Sequence, residues 1–230
     1  YLWNSLKVTF LYSMGEILVT MVGGMLLALL FNRMTRSFGL MRAFVFVPKY
    51  VAMSSAAVVF LWILNTDSGV LNYLLQCIGL PAVDWLNQQS TALPSVLMLT
   101  GWRVIGYGMM IYLSAMMGIS QEYYEAASLD GANGVQKFFR ITLPLLSPTT
   151  LFLLVTTFLS SMKVFQSVDI LTSGGPARST EVFVYLIYRY AMVDFRMDRA
   201  ATAAVMFFLI LLVITVLTMK VSDRSVTYDS

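Results

Sequence analysis

The sequence predicts an all-α membrane protein, a polytopic helical bundle with five transmembrane helices. Hydrophobic residues fill 58% of its positions and charged residues only 12%, against roughly 45–50% and about 25% in soluble domains. A helix needs about 20 residues to cross a bilayer, because each residue advances it by about 1.5 Å. Five stretches of the chain are that long and poor in charge. Lipid is therefore the solvent for most of the chain.

The five predicted helices, A to E, cover residues 8–31, 43–64, 93–118, 145–171 and 200–220. Residues 141–162 and 200–219 contain no charged side chain, so helices D and E show the clearest pattern. Helices A to D each include or border an ionisable group. Gly23, Gly24 and Ala28 form a small-residue face on helix A, which favours close packing against another helix.

The distribution of Lys and Arg predicts which connections lie in the cytoplasm. Three regions carry basic residues and are predicted there, namely the A–B connection, the C–D connection and the C-terminal tail, with Arg33, Arg36, Arg42, Lys137, Arg140, Lys220 and Arg224. Residues 65–92 contain acids but no basic residue and are predicted outside. The D–E connection carries both signs of charge, and helix alternation places it outside as well.

The D–E connection is too apolar for a plain loop. Residues 180–193 read TEVFVYLIYRYAMV, which is too short to span a bilayer with its arginine and flanking acids. We expect this segment to lie along the membrane interface or to tuck back into the bundle. The first alternative is favoured by aromatic residues that suit headgroup depth, namely Phe183, Tyr185, Tyr188 and Tyr190.

Residues 119–144, between helices C and D, predict two short helices that project from the membrane. Glu122 and Glu125 favour a helix start, Asp130-Gly131 breaks that helix, and Asn133-Gly134 offers a second turn. Such a knob can sit in the groove of a partner and transmit its motion. The alternative is an amphipathic helix that lies on the membrane between two spans.

The same segment resembles the EAA motif of permease subunits from binding-protein-dependent ABC importers, in the maltose and glycerol-phosphate branch. Glu125-Ala126-Ala127 is followed by Gly131 after three residues, by Ile141 after nine more and then by Leu143-Pro144. The Gly174-Gly175-Pro176 turn also has a counterpart, and the resemblance covers essentially the whole chain. It implies that the loop couples to an ATPase through Tyr123, Tyr124, Glu125, Ala126, Ala127, Asp130, Gly131, Ile141, Leu143 and Pro144.

The resemblance also implies the assembly. The chain would work with a second homologous permease, two ATP-binding subunits and an extracytoplasmic solute-binding protein, in a bacterial or archaeal plasma (inner) membrane with the loop cytoplasmic. ATP and magnesium would bind the partner subunits, and this chain would hold no cofactor. Because the chain opens at Tyr1 without an initiator methionine, we expect a missing N-terminal region, and the resemblance implies a further helix there.

Polar residues inside the predicted helices mark the candidate solute path, because ionisable groups at membrane depth usually face a cavity or a partner. Helix D supplies a stripe of Ser160, Lys163, Gln166, Ser167 and Asp169, and the other helices supply Glu16, Trp62, Asn65, Arg103 and Tyr107. This mixture suits a sugar or oligosaccharide. Glycerol phosphate or a related phosphodiester is the runner-up, with Arg103 and Lys163 as anion partners.

The alternative to a role in the solute path is that these charged residues only form ion pairs within the bundle or with a companion subunit. Lys49, near the start of helix B, is expected to anchor the inner boundary or to pair within the bundle. An ion-coupled secondary transporter with Glu16, Lys163 and Asp169 as a relay is a competing class. It leaves the EAA spacing to chance, and no pair of interrupted helices repeats in two halves.

Several chemistries have no residues to carry them. The chain contains no histidine and one cysteine, Cys77, so imidazole or thiolate metal clusters and Ser–His–Asp or Cys–His nucleophiles are excluded. No G-x-x-x-x-G-K-[ST] phosphate loop occurs. We therefore predict a non-catalytic permease subunit with no metal site and no nucleic-acid partner.

Overall fold

The structure, a computed structural model, describes residues 1–32 and 36–225, and every regular element in these ranges is helical. The predicted cytoplasmic residue Arg33 lies outside the described residues. In chain order, the helices are α1 (Leu2–Phe31), α2 (Arg36–Phe46), α3 (Met53–Ile63), α4 (Val70–Cys77), α5 (Gln89–Met117), α6 (Gln121–Leu129), α7 (Gly134–Leu145), α8 (Ser147–Ser161), α9 (Gln166–Leu171), α10 (Phe183–Val193) and α11 (Met197–Ser225).

Three described helices are long and apolar enough to cross a membrane alone, namely α1, α5 and the Met197–Val216 part of α11. Two bent pairs also qualify if each counts as one span: α2 with α3, and α7 with α8. These pairs bring the number of spans to the predicted five. Within them, however, the chain departs from the straight helices that the sequence predicts.

Predicted helix B, over residues 43–64, is not one helix. A 3-10 turn, Val47–Tyr50, follows α2, and the chain then bends by 103° before α3 begins at Met53. Pro48 lies in that turn and cannot donate a backbone hydrogen bond, while Val51 is extended. The prediction of a continuous helix was therefore wrong.

Predicted helix D, over residues 145–171, is also interrupted. Helix α8 ends at Ser161 and α9 begins at Gln166. Ser160 and Ser161 donate their hydroxyl hydrogens to carbonyl oxygens of the preceding turn, at 2.9 and 2.8 Å, and such bonds compete with regular helix geometry. The predicted polar stripe from Ser160 to Asp169 is therefore split between two elements.

Helices α1 and α5 run in the same direction and touch through glycines. A Cβ placed on Gly24 would lie 2.8 Å from the backbone carbon of Gly108, and one on Gly23 would lie 2.7 Å from the Ile105 side chain. Ala28 is completely buried. The predicted small-residue face on α1 is confirmed as a close helix contact. Both helices begin at what we call the far end, opposite the 119–144 loop.

At the far end, the segment before α11 tucks back into the bundle. Phe183 and Leu186 are buried, and the Phe183 N–H donates a hydrogen bond to the Thr9 hydroxyl at 2.8 Å. Glu181 is fully buried and pairs with Arg189 at 2.7 Å. The interfacial alternative for this segment was therefore wrong: Tyr185 and Tyr190 are buried too, and Tyr188 is 37% exposed.

A buried asparagine organises the connection of residues 65–88, which lies at the far end with α4. The Asn72 side chain is 2% exposed and makes four hydrogen bonds, with Thr66, twice with Val83, and with the Trp85 indole. Nearby, desolvation raises the pKa of Asp84, but hydrogen bonds from Asn87 and Thr66 outweigh it and lower that pKa. The hydrogen bonds of Asn72 and Asp84 therefore give residues 65–88 a defined fold.

Candidate functional site

A polar cavity of about 240 Å³ lies between α1, the Val47–Tyr50 turn, α5 and α8. It is lined by Glu16, Thr20, Lys49, Val104, Tyr107, Thr156, Thr157 and Ser160. One carboxylate, one ammonium group, one phenol and four hydroxyls therefore surround a space large enough for a small polar molecule or one end of a longer one.

The cavity lies near the middle of two of the helices that form it, α1 and α5, and near the end of α8. Glu16 is halfway along the 30-residue span Leu2–Phe31, and Val104 and Tyr107 stand near the midpoint of α5. A π-helical turn, Val19–Gly23, widens α1 beside the cavity and contains Thr20. Ionisable groups at this depth are costly in lipid and mark solute or ion pathways, which makes the cavity the strongest candidate site.

Glu16 and Lys49 face the cavity without pairing with each other. The Glu16 residue is 6% exposed, and no described Lys or Arg nitrogen lies within the 4.0 Å of an ion pair. Lys49 and Arg103 act on it electrostatically from farther away, and Tyr12 interacts with it from one turn earlier. The Lys49 ammonium lies 4.8 Å from the centre of the Tyr107 ring. Both charged groups remain able to bind a solute.

Arg103 holds the bend between α2 and α3. Its guanidinium donates to the carbonyl oxygens of Lys49, at 3.2 Å, and Val51, at 2.8 Å. These carbonyls belong to the interrupted helix and would otherwise lack partners. Arg103 does not line the cavity. By fixing the turn, it holds the backbone of Lys49 beside Glu16.

Hydroxyls on α8 supply hydrogen-bond acceptors. Thr156 donates to the Phe152 carbonyl at 2.8 Å and Ser160 to the Thr157 carbonyl at 2.9 Å, so the lone pairs of both oxygens remain available. The Thr20 hydroxyl is buried and has no hydrogen-bond partner within the described chain. Together with the Glu16 carboxylate, the Thr156 and Ser160 oxygens can accept hydrogen bonds from several solute hydroxyls.

The structure brings three of the ten predicted path residues to this cavity: Glu16, Tyr107 and Ser160. Arg103 is committed to backbone carbonyls, as described above. Trp62 is 59% exposed on α3, away from the cavity. Asn65 caps a turn, because its side-chain oxygen accepts hydrogen bonds from the Asp67 and Ser68 amides, both at 3.0 Å.

The remaining predicted path residues follow the break after α8 and do not line the cavity. Lys163 borders a mostly apolar groove between α8 and α11, so its predicted role as an anion partner in the path has no support from its position. Ser167 is fully buried, and its hydroxyl has no partner in the described chain. Gln166 is exposed, and Asp169 lies near Tyr185 at the far end.

Sequence reasoning missed the apolar lining residue Val104 and four polar ones: Thr20, Lys49, Thr156 and Thr157. A signal existed for three of them, since Thr20 lies one turn after Glu16, and Thr156 and Thr157 lie one turn before Ser160. Lys49 was assigned to the inner boundary or to pairing. The bend after Tyr50 instead brings it to the cavity, and only the path of the chain reveals this.

At the end of the bundle opposite the far end, the 119–144 loop has the two short helices that the sequence predicts. Ser120 caps α6, Gly131 takes a positive φ of 76°, and Asn133 with Gln136 forms a reciprocal cap at the start of α7. Only glycine adopts that φ readily. Helix α7 passes through a π-helical turn and meets α8 at an angle of 62°.

The two loop helices are fastened to each other. The Tyr124 hydroxyl and the Thr142 hydroxyl are 2.9 Å apart, and the Lys137 ammonium donates to the Ser128 hydroxyl. No residue of α6 is buried. Of the predicted coupling residues, Tyr123, Glu125, Ala126, Asp130, Gly131, Leu143 and Pro144 are exposed, and Tyr124, Ala127 and Ile141 are partly buried. The loop is therefore a protruding pair of helices that are hydrogen-bonded to each other and largely exposed.

Within residues 1–32 and 36–225, no group of three or more Cys, Asp or Glu side chains is placed to hold a metal ion. The cavity itself offers one carboxylate and one ammonium group. Its chemistry is that of hydrogen bonding and charge recognition.

Comparison with known proteins agrees with this architecture. Residues 20–228 match the family described as the binding-protein-dependent transport system inner membrane component. The chain is 34% identical to the probable ABC transporter permease protein YurN of Bacillus subtilis (strain 168), over 95% of this chain and 76% of YurN. It is 33% identical to the sn-glycerol-3-phosphate transport system permease protein UgpA of Agrobacterium fabrum (strain C58), over 98% of this chain and 77% of UgpA.

A solved structure has the same fold over nearly the whole chain. A chain of a bacterial ABC transporter involved in the import of the acidic polysaccharide alginate superposes with a TM-score of 0.86 and 29% identity, covering 98% of this chain and 79% of that one. This chain belongs to the inner membrane components of binding-protein-dependent transport systems, the permease subunits of ABC importers.

Proposed function

We propose that the cavity around Glu16 and Lys49 is part of the solute path of this permease, and that its solute is a polyhydroxylated molecule such as a sugar or oligosaccharide. The observation that carries the proposal is the lining itself: a carboxylate, an ammonium group and hydroxyls at the middle of the membrane spans. Sugar hydroxyls need several hydrogen-bonding groups, and a purely packed core would not place these charges there.

Two relatives narrow the solute class. The structural neighbour belongs to an importer of alginate, an acidic polysaccharide, and UgpA is named for sn-glycerol 3-phosphate. A phosphate-bearing solute is therefore the second candidate, and the presence of Lys49 in the cavity favours it. In either case, the solute carries hydroxyl groups.

The protruding loop supports a coupling role. The fastening of α6 to α7 through Tyr124 and Thr142 makes the pair a stiff unit. We propose that it sits on the cytoplasmic side in a groove of an ATP-binding subunit, and that ATP binding there swings the bundle between inward-facing and outward-facing states. ATP and magnesium would belong to two such partner subunits, and this chain would catalyse no covalent change.

A second permease and an extracytoplasmic binding protein complete the proposed assembly. The alginate transporter has been solved in complex with a periplasmic protein bound to an alginate pentasaccharide, which supports a binding-protein partner at the far end here. Copurification tests the assembly directly: the tagged chain should bring down an ATP-binding subunit. Recovery of the chain alone from a membrane that contains such subunits would count against it.

Blocking the cavity tests the path. Thr157→Phe and Ser160→Phe each place a ring in a cavity of about 240 Å³. In proteoliposomes that contain the copurified complex, both variants should stop uptake of the transported member of a panel: a neutral disaccharide, a uronic-acid oligosaccharide and sn-glycerol 3-phosphate. ATP hydrolysis should continue, because the loop is unaltered.

Val205→Phe is the matched control, since it adds a ring at a position on α11 that is 59% exposed. This variant should transport like the wild type. If Thr157→Phe and Ser160→Phe both keep normal uptake, the solute does not pass through this cavity.

A further inference from the structure

The charged groups around the cavity do not balance. The charges that act on Glu16 are those of Lys49 and Arg103, and the charges that act on Lys49 are those of Arg103 and Glu16. Two cations therefore share one carboxylate. With all three groups ionised, Glu16, Lys49 and Arg103 together carry one net positive charge.

Arg103 does not remove that excess. Its guanidinium hydrogen bonds go to the neutral carbonyl oxygens of Lys49 and Val51 and to the Met53 sulfur. Its Nε is buried and has no acceptor in the described chain. Carbonyl dipoles stabilise a guanidinium but leave its charge uncompensated, so the positive potential extends to the cavity.

Lys49 is the cation that a solute can reach. It lines the cavity, and its ammonium forms no ion pair within the described chain. The ammonium makes a cation–π contact with the Tyr107 ring, 4.8 Å from the ring centre. Lys49 is partly buried, so its unpaired charge loses part of its hydration, and an anion that enters the cavity relieves this cost. The site is thus incomplete without a negative charge.

We propose that Lys49 selects solutes that carry an anionic group, a carboxylate or a phosphate, beside their hydroxyls; this rests on the proposed solute path. The three ammonium hydrogens bind the anion. The Glu16 carboxylate accepts hydrogen bonds from solute hydroxyls, and the Thr156 and Ser160 oxygens accept others. Glu16 also repels a second negative charge placed next to it.

Binding of small probes to the purified complex in nanodiscs tests the proposal. Equilibrium dialysis would compare glucuronate with glucose for the carboxylate, and sn-glycerol 3-phosphate with glycerol for the phosphate. For at least one pair, the wild type should bind the anion roughly ten-fold or more tightly than the neutral probe, as a charge-assisted hydrogen bond predicts. Which pair shows the preference distinguishes the two anions.

Variants then assign the preference. Lys49→Gln should abolish it while keeping the affinity for the neutral probe, and Lys49→Arg should retain it. Lys163→Gln is the matched control, because Lys163 lies in the groove between α8 and α11 and should leave the preference unchanged.

Three results would overturn the proposal: no anion preference in the wild type, including no binding of any probe; a preference that survives in Lys49→Gln; or an equal loss of anion and neutral binding in that variant. The last would leave the solute path at the cavity intact. Failure of the path itself would show separately, as unchanged uptake in Thr157→Phe and Ser160→Phe.

Discussion

The contact between α1 and α5 allows a quantitative prediction for Gly24→Ala. The added Cβ would lie 2.8 Å from the Gly108 carbonyl carbon and 2.9 Å from the Met109 nitrogen, whereas ordinary contacts begin at 3.4 Å. Both neighbours are backbone atoms and cannot rotate away. The two helices must therefore separate by about 0.6 Å along this contact, a gap that forfeits roughly a quarter to a half of each contact's dispersion energy.

Overpacking of this kind costs about 1–3 kcal/mol, and the better helix propensity of alanine returns roughly 0.5–1 kcal/mol. We expect a net loss of about 1–2 kcal/mol, or roughly 5 °C in the Tm of a chain of this size. Thermal unfolding of the purified complex, followed by tryptophan fluorescence, measures this shift.

Gly39→Ala is the matched control, because nothing lies within 4 Å of a Cβ built on this α2 residue. Its Tm should stay the same or rise slightly. If Gly24→Ala is as stable as Gly39→Ala, the close approach of α1 and α5 is not what the distances imply.

The far end offers three further predictions. Arg189→Met removes the 2.7 Å partner of the buried Glu181 carboxylate and leaves Arg178 at 3.7 Å, so it should cost about 1.5–3 kcal/mol by chemical unfolding. Arg196→Met, at an exposed ion pair, should cost under about 1 kcal/mol; equal losses would contradict this. Asn72→Ala breaks four hydrogen bonds and should speed limited proteolysis within residues 65–88; an unchanged rate would show that Asn72 does not hold the connection. Asp84 has a lowered pKa, because its hydrogen bonds outweigh desolvation. The stability that Asp84 contributes is therefore present above its ordinary pKa of about 3.9 and is lost as pH falls through the lower folded value. Asp84→Asn should flatten this pH dependence in an acid titration of Tm, and an unaltered titration would refute the prediction.

Local signals predicted much of the fold. Length and apolarity located the spans because lipid demands a full helical crossing, whatever packs around it. The two-helix loop could also be predicted from local sequence, because a glycine is present where the backbone needs a positive φ, at Gly131, and because the cap formed by Asn133 and Gln136 involves neighbouring residues alone.

The break after Tyr50 depends on a distant partner, whereas the hydroxyl bonds of Ser160 and Ser161 at the other break are local. Pro48 is a local sign of the bend. The carbonyls of Lys49 and Val51, however, find their donor in Arg103, more than fifty positions along the chain, and no local pattern in residues 43–64 identifies that donor. For the same reason, Lys49 was assigned to the inner boundary or to pairing rather than to the cavity. A pathway depends on which helix faces meet, and periodicity within one helix cannot supply that.

The claim that the cavity belongs to an alternating solute path has a direct test in thiol accessibility. Thr157→Cys, in a Cys77→Ser background that removes the exposed native thiol, would be treated in the assembled complex with a charged, membrane-impermeant methanethiosulfonate. The account predicts fast reaction in one nucleotide state, slow reaction in the other, and loss of uptake on modification. Uptake that persists after full modification, or a thiol that stays unreactive in every nucleotide state, would contradict it.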